Sequence, residues 1–144
     1  MDIFEEIKSL GFPPDKFIVL GGATMAAHGI RDAADIDIFP NPEIFELCKN
    51  SEWEVHKWDH PERGEDVWLK KGIFELYGKF WYEGRYYSFE ELLPYTQVIN
   101  GFNIAPIYWL MNWKRVHARP KDLIDADLIE SYLQTHPEFV VEPK

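Results

Sequence analysis

Apolar residues along the first third of the chain recur at helical spacing and then in short continuous runs. The helical spacing predicts a first helix that ends at Gly11. Its apolar residues are Ile3, Phe4, Ile7 and Leu10. The run Ile18–Leu20 predicts a buried strand, and the small residues over 23–28 predict a short helix. A second apolar run over residues 36–39 predicts the next strand.

The rest of the chain predicts one more helix, several strands and two closing helices. Ser88 is a plausible N-cap, and Asn100-Gly101 favours a hairpin turn. The predicted segments are a helix at 43–49, strands within 53–58 and 66–80, a helix or turn at 89–93, a hairpin within 98–104, and helices near 107–117 and 120–133. This order predicts an α+β or α/β fold, a single domain over residues 1–144 with a mixed sheet flanked by helices and a tail over 134–144.

Composition narrows the classes of protein to consider. A chain of 144 residues with 46% apolar and 16% aromatic residues suits one well-filled core. A net charge of −10 argues against broad binding to DNA, RNA or anionic membranes. One cysteine, Cys48, excludes an intramolecular disulfide, and no apolar stretch or N-terminal segment reads as a membrane span or signal peptide. We therefore expect a soluble, cytoplasmic protein.

Two acidic residues, Asp35 and Asp37, accompany the second apolar run. Side chains two apart on a strand share a face, so both carboxylates oppose Ile36 and Ile38, with Cα atoms about 6.6 Å apart. That spacing allows two carboxylates to share one divalent cation or to flank two metal ions. The like charges repel, and a hard cation such as Mg²⁺ removes this penalty. The alternative is that both residues are simply solvated on an edge strand. Asp is disfavoured in strands, which argues against this alternative.

The turn before the short helix supplies a second feature. Gly21 and Gly22 have no Cβ, so their backbone can approach a ligand closely and adopt positive φ. Free N–H groups at the start of a helix favour anions. A phosphate site followed by a carboxylate pair is the combination that phosphoryl or nucleotidyl transfer requires.

The order of these residues resembles the nucleotidyltransferase superfamily that shares its fold with DNA polymerase β, especially small bacterial members such as AbiEii-type toxins and minimal nucleotidyltransferases. Their signature is an apolar strand, Gly-Gly or Gly-Ser, a short helix, Gly, often Arg, and then Asp-x-Asp. The matching residues here are Gly21-Gly22, Ala23, Gly29, Arg31 and Asp35-Ile36-Asp37. Ala33 replaces a Thr that is common in the family, so one supporting contact is missing.

Residues 104–133 are similar to a downstream pattern of the same family. The matching residues are Lys114, Arg119, Lys121-Asp122, Asp125 and Leu133. The resemblance implies that Lys114 binds the phosphates of a nucleotide, although a solvated helix end also favours Lys and Arg. Arg31 either faces the phosphates or pairs with Asp32 or another acid.

The resemblance also implies a third carboxylate on a neighbouring strand. Glu75 is the best candidate because apolar residues flank it within a predicted strand; Glu83 and Asp66 are the alternatives. Glu75 would contact a metal ion and act as general base, whereas the simpler interpretation is an exposed strand residue.

The function so implied is a Mg²⁺-dependent nucleotidyltransferase that moves NMP from an NTP such as ATP to a hydroxyl acceptor and releases pyrophosphate. Asp35, Asp37 and Glu75 would be the catalytic and metal-binding residues, and the nucleotide would contact Gly21-Gly22, Arg31 and Lys114. The acceptor is left open between a tRNA end, a protein and a small molecule. A catalytically inactive binding module with a toxin or antitoxin partner, and a metal-dependent hydrolase, remain alternatives.

Histidine and tryptophan give weaker signals. His56 and His60 have a spacing seen in zinc sites but lack further ligands nearby, which disfavours zinc. Most of the six tryptophans are expected in the core. One or two of them would stack on a base or on an aromatic acceptor.

Overall fold

The computed structural model of the protein describes residues 1–144 and consists of six α-helices and nine strands. The helices are α1 (Ile3–Ser9), α2 (Gly21–Ala27), α3 (Pro42–Lys49), α4 (Phe89–Leu92), α5 (Ile107–His117) and α6 (Pro120–Thr135). The strands are β1 (Phe17–Leu20), β2 (Ile36–Pro40), β3 (Glu54–His60), β4 (Gly64–Lys71), β5 (Phe74–Tyr77), β6 (Phe80–Tyr82), β7 (Arg85–Tyr87), β8 (Gln97–Ile99) and β9 (Phe102–Ile104). Short 3₁₀ turns lie at Pro14–Lys16, Leu93–Tyr95 and Pro137–Phe139.

A mixed sheet of seven strands, in the order β3-β4-β5-β2-β1-β9-β8, forms the centre of the fold. Strand β1 pairs antiparallel with β2 and parallel with β9, and β2 pairs parallel with β5. Strands β6 and β7 form a separate two-stranded sheet. The predicted α+β class with a mixed sheet is therefore confirmed.

Both faces of the central sheet are covered, as the alternation along β1 illustrates. Phe17 and Val19 pack with α1 and α3 in the largest apolar cluster. Ile18 points the other way and packs with residues of β6, β7, α4 and α5, including the fully buried Trp109. A third apolar cluster joins α2, α5 and α6. Each strand residue thus contributes to one of two cores because successive side chains face opposite sides.

Most of the predicted elements are present, including the N-cap at Ser88 and the hairpin at Asn100-Gly101. The hairpin of β6 and β7 was not predicted, and α2 begins at Gly21, two residues earlier than expected. The predicted tail is partly anchored, since the Trp109 indole N–H donates to the Val141 carbonyl at 2.7 Å. No helix of this fold combines the length and the apolar character that crossing a bilayer requires.

The junction between α5 and α6 offers a test of this backbone. Ala118 lies there in the left-handed region at φ +55°, where a Cβ is strained. We expect Ala118→Gly to raise the free energy of unfolding by about 1 kcal/mol, because glycine adopts this conformation freely. Urea denaturation measures the change.

The matched control is Ser131→Gly, at an exposed position inside α6. It should lower the free energy of unfolding by about 0.5–1 kcal/mol, because a helical glycine orders more backbone. Equal effects of the two substitutions would contradict a left-handed Ala118.

Candidate active site

The glycine turn and Asp37 lie against each other where β1 meets α2. The antiparallel register places Leu20 opposite Asp37, so the next residue, Gly21, reaches the carboxylate. A Cβ added at Gly21 would lie 2.5 Å from Asp37 Oδ2, and Gly21 has a φ of +61°. Both the backbone conformation and the close approach therefore require glycine here.

A second carboxylate adjoins Asp37 on the next strand. The parallel register of β2 and β5 places Glu75 directly opposite Asp37, close enough for the two carboxyl groups to influence each other. Burial, then the charge and hydrogen bond of Glu75, then the charge of Asp35 raise the pKa of Asp37 from 3.8 to about 7. The two side chains thus form a strained acidic pair that favours a shared proton or a bound cation.

Two neighbours support Glu75 from the other side. The Tyr77 hydroxyl donates to Glu75 Oε2 at 2.7 Å, and Lys70 Nζ lies 3.5 Å from Glu75 Oε1. Burial and the charge of Asp37 raise the pKa of Tyr77 well above its ordinary value, so the phenol stays protonated and remains a donor. These contacts fix the orientation of the Glu75 carboxylate.

Asp35 is the outermost of the three predicted carboxylates. It lies one residue before β2 and is exposed, although its charge still acts on Asp37. No three His, Cys, Asp or Glu side chains stand together as a ready-made metal ligand set. Mg²⁺ is commonly held by one or two carboxylates together with substrate phosphates. The adjoining oxygens of Asp37 and Glu75 fit that mode of binding.

A cluster of charged side chains lies beside the glycine turn. Lys114 on α5 is buried, with Nζ 2.9 Å from Asp125 Oδ2 and 3.6 Å from Asp122 Oδ1. Arg31 donates through Nε and Nη2 to Asp125 at 2.9 and 2.8 Å, and Arg119 binds Asp122. Three cations thus share two carboxylates, which leaves one excess positive charge in a protein of net charge −10.

This arrangement bears on the roles expected for Arg31 and Lys114. Arg31 pairs with an acid, Asp125 rather than Asp32, and its guanidinium also lies close to the turn, with Nη2 3.5 Å from a Cβ added at Gly22. The hydrogen bond from Arg31 lowers the pKa of Asp125, which keeps that carboxylate ionised. Asp125 therefore ties Arg31 and Lys114 into one group.

A cavity of about 660 Å³ brings most of the predicted residues together. The site residues in its wall are Gly21, Gly22, Asp37, Glu75 and Lys114, whereas Asp35 and Arg31 lie outside it. Aromatic side chains supply much of the remaining wall, among them Trp68, Trp81, Tyr86 and Trp113. A volume of this size suits a ligand as large as a nucleotide.

Sequence reasoning missed three residues of this wall or its support. Thr24, in α2, lines the cavity, and its buried hydroxyl has no hydrogen-bond partner. Lys70 and Tyr77 contact Glu75, and Tyr77 was detectable because it follows Glu75 by two positions and shares its face of the strand. Lys70 contacts Glu75 because β4 pairs with β5, and the residue pattern of neither strand alone predicts that contact.

Comparisons with protein-family models, with curated proteins and with solved structures find no match to this chain. Membership of the nucleotidyltransferase superfamily therefore stays a prediction from the motif residues.

The acidic pair makes the stability of the metal-free protein depend on pH. Because folding raises the pKa of Asp37 to about 7, the stability that its proton contributes is fully present below about pH 4 and is lost as the pH rises through 7. The loss is on the order of 2 kcal/mol between pH 5 and 8. Asp37→Asn stays neutral, so we expect its free energy of unfolding in urea with EDTA to fall less over this window.

Asp127→Asn, on the exposed part of α6, is the control and should follow the wild-type pH profile. Parallel profiles for wild type and Asp37→Asn would show that Asp37 titrates in its ordinary range.

The close approach of Gly21 to Asp37 can be separated from backbone strain. Gly21→Ala and Gly11→Ala both introduce a Cβ at positive φ, of +61° and +72°, but only the first meets another atom within 4 Å. Each should cost about 1 kcal/mol of stability through strain. Only Gly21→Ala should also displace the Asp37 carboxylate and weaken Mg²⁺ binding, by about tenfold in calorimetry. Equal Mg²⁺ affinities in the two variants would contradict this geometry.

Proposed function

We propose that the protein is a Mg²⁺-dependent nucleotidyltransferase that transfers NMP from an NTP to a hydroxyl acceptor. The observation that carries the proposal is the acidic pair of Asp37 and Glu75, which faces the glycine turn inside a cavity that also contains Lys114. Either an acidic pair or a glycine turn alone is a common feature. Their contact within one cavity is the combination that phosphoryl chemistry needs.

The phosphate chain of the NTP would lie against Gly21 and Gly22. Glycine leaves room for phosphate oxygens to approach the backbone, and the unpartnered hydroxyl of Thr24 is a further donor beside the turn. Lys114 and Arg119, which also line the cavity, would offset the charge of the departing pyrophosphate. Asp122 and Asp125 hold these cations in place.

Asp37 and Glu75 would hold Mg²⁺, with Asp35 near enough to contribute charge. When bound, the cation neutralises phosphate charge and favours ionisation of the attacking hydroxyl. Glu75, oriented by the Tyr77 hydroxyl, would accept the hydroxyl proton. The acceptor oxygen bonds to the α-phosphorus, the bond from that phosphorus to the bridging oxygen breaks in line, and pyrophosphate leaves with the electron pair.

The test follows the α-phosphate. Purified protein, Mg²⁺ and a cell extract are incubated with each α-³²P-labelled NTP, and the label is followed into RNA, protein and small molecules. We expect stable label in one of these fractions, with release of pyrophosphate. Asp37→Asn and Glu75→Gln should each lower transfer at least about a hundredfold.

Asp127→Asn is again the matched control and should leave transfer unchanged. Release of inorganic phosphate without any labelled acceptor would indicate a hydrolase. NTP binding in calorimetry without turnover would indicate an inactive binding module, with a toxin or antitoxin partner as the next question.

A further inference from the structure

A second cavity of about 810 Å³ adjoins the first. The tip of the β3–β4 hairpin, the β6–β7 turn and the end of α5 form its wall. Trp58, Arg63, Trp81 and Trp113 line both cavities, so the two spaces share a boundary. A molecule in the second cavity therefore lies next to the proposed nucleotide site.

An exposed tryptophan among other aromatic rings distinguishes this cavity. Trp58 is 59% exposed although it is the largest kind of apolar side chain. Trp113 stacks on His117 with ring centroids 3.6 Å apart, and Trp58 lies 3.7 Å from the His60 ring. An exposed indole suits a flat, unsaturated ring system, because an aromatic side chain and a base can stack on each other.

Two guanidinium groups are the second distinguishing property. Arg63 and Arg119 line the cavity together with the carboxylates Glu62 and Glu83, and Arg63 Nη2 contacts the His60 ring rather than a carboxylate. Arg119 contacts Asp122 through Nε and Nη2 only, which leaves Nη1 free. Guanidinium N–H groups that no carboxylate occupies can donate to a phosphate.

We propose that the second cavity binds a nucleotide unit, a planar base with a phosphate, and that this unit is the acceptor. The proposal rests on the nucleotidyltransferase function above and names its acceptor class. The unit is supplied either by a free mononucleotide or by the 3′ end of a single strand.

The reaction then joins two nucleotides. A ribose hydroxyl of the bound unit attacks the α-phosphorus of the NTP, and a new phosphodiester bond forms. The bond to pyrophosphate breaks, pyrophosphate takes the electron pair, and the hydroxyl proton passes to Glu75 and then to solvent. No oxidant or further reactant is required.

Binding is tested first without Mg²⁺ or NTP. AMP, UMP and the 5′-phosphorylated RNA trinucleotides of A and of U are titrated by calorimetry at low salt. We expect at least one probe to bind, and Trp58→Ala to weaken that binding about tenfold through lost stacking. Tighter binding of a trinucleotide identifies a strand end, and equal binding of AMP or UMP identifies a free nucleotide.

A matched pair of charge variants locates the site. Val116 is 82% exposed and lines only the second cavity, so its replacement leaves the fold and the first cavity intact. Val116→Glu should weaken probe binding roughly threefold, and Val116→Lys should strengthen it by a similar factor. Neither variant should change the affinity for Mg²⁺ and a nonhydrolysable NTP. No probe binding, or equal binding by both variants, would overturn the second-cavity site.

An assay of α-³²P transfer tests the acceptor role separately from binding. Addition of α-³²P label to the 3′ end of the probe that binds supports the acceptor assignment. Label that enters a different acceptor, with the probe bound but unlabelled, overturns it while the nucleotidyltransferase function stands. Absence of transfer to every acceptor overturns that function and the acceptor role together, and the binding results alone then decide the nucleotide site.

Discussion

Burying two like charges side by side costs folding free energy unless a proton or a cation lies between them. Asp37 and Glu75 are such a pair, because the parallel pairing of β2 with β5 sets them side by side. Gly21 leaves space for the Asp37 carboxylate, and Tyr77 orients that of Glu75. The surrounding structure thus holds an acidic pair whose free energy is highest when both carboxyl groups are ionised and no cation is bound.

The positive charges of the site are restrained in a different way. Lys114 and Arg31 both contact Asp125, which joins α5, α6 and the segment before β2 through one buried carboxylate. Because three cations share two carboxylates, the group keeps a positive excess beside the glycine turn. Partial compensation of this kind lowers the cost of burial and still leaves attraction for an anion.

The sequence predicted the class of the fold and the parts of the site that depend on local pattern. Apolar periodicity marked β1 and β2, and the glycine turn and Asp37 were recognised because each has a short-range chemical signature. The β6–β7 hairpin was missed, since its turn uses Glu83 at φ +45°, a residue with no special preference for that conformation.

Contacts between segments far apart in the sequence were the other limit on what could be predicted. Nothing near Arg31 indicates that Asp125 is its partner, because these residues lie 94 positions apart and meet only once the chain has folded. The second cavity likewise combines a hairpin tip with the end of α5. Such sites depend on tertiary geometry, which a residue pattern does not carry.

The register of β5 has a consequence for the fidelity of folding. Phe74 and Leu76, on either side of Glu75, are buried in the same apolar cluster as Ile36 and Ile38 of β2. A slip of one position between these strands would expose both side chains and drive the carboxylate of Glu75 into the apolar layer. The strand register that buries these apolar side chains is therefore the same register that brings Asp37 and Glu75 together.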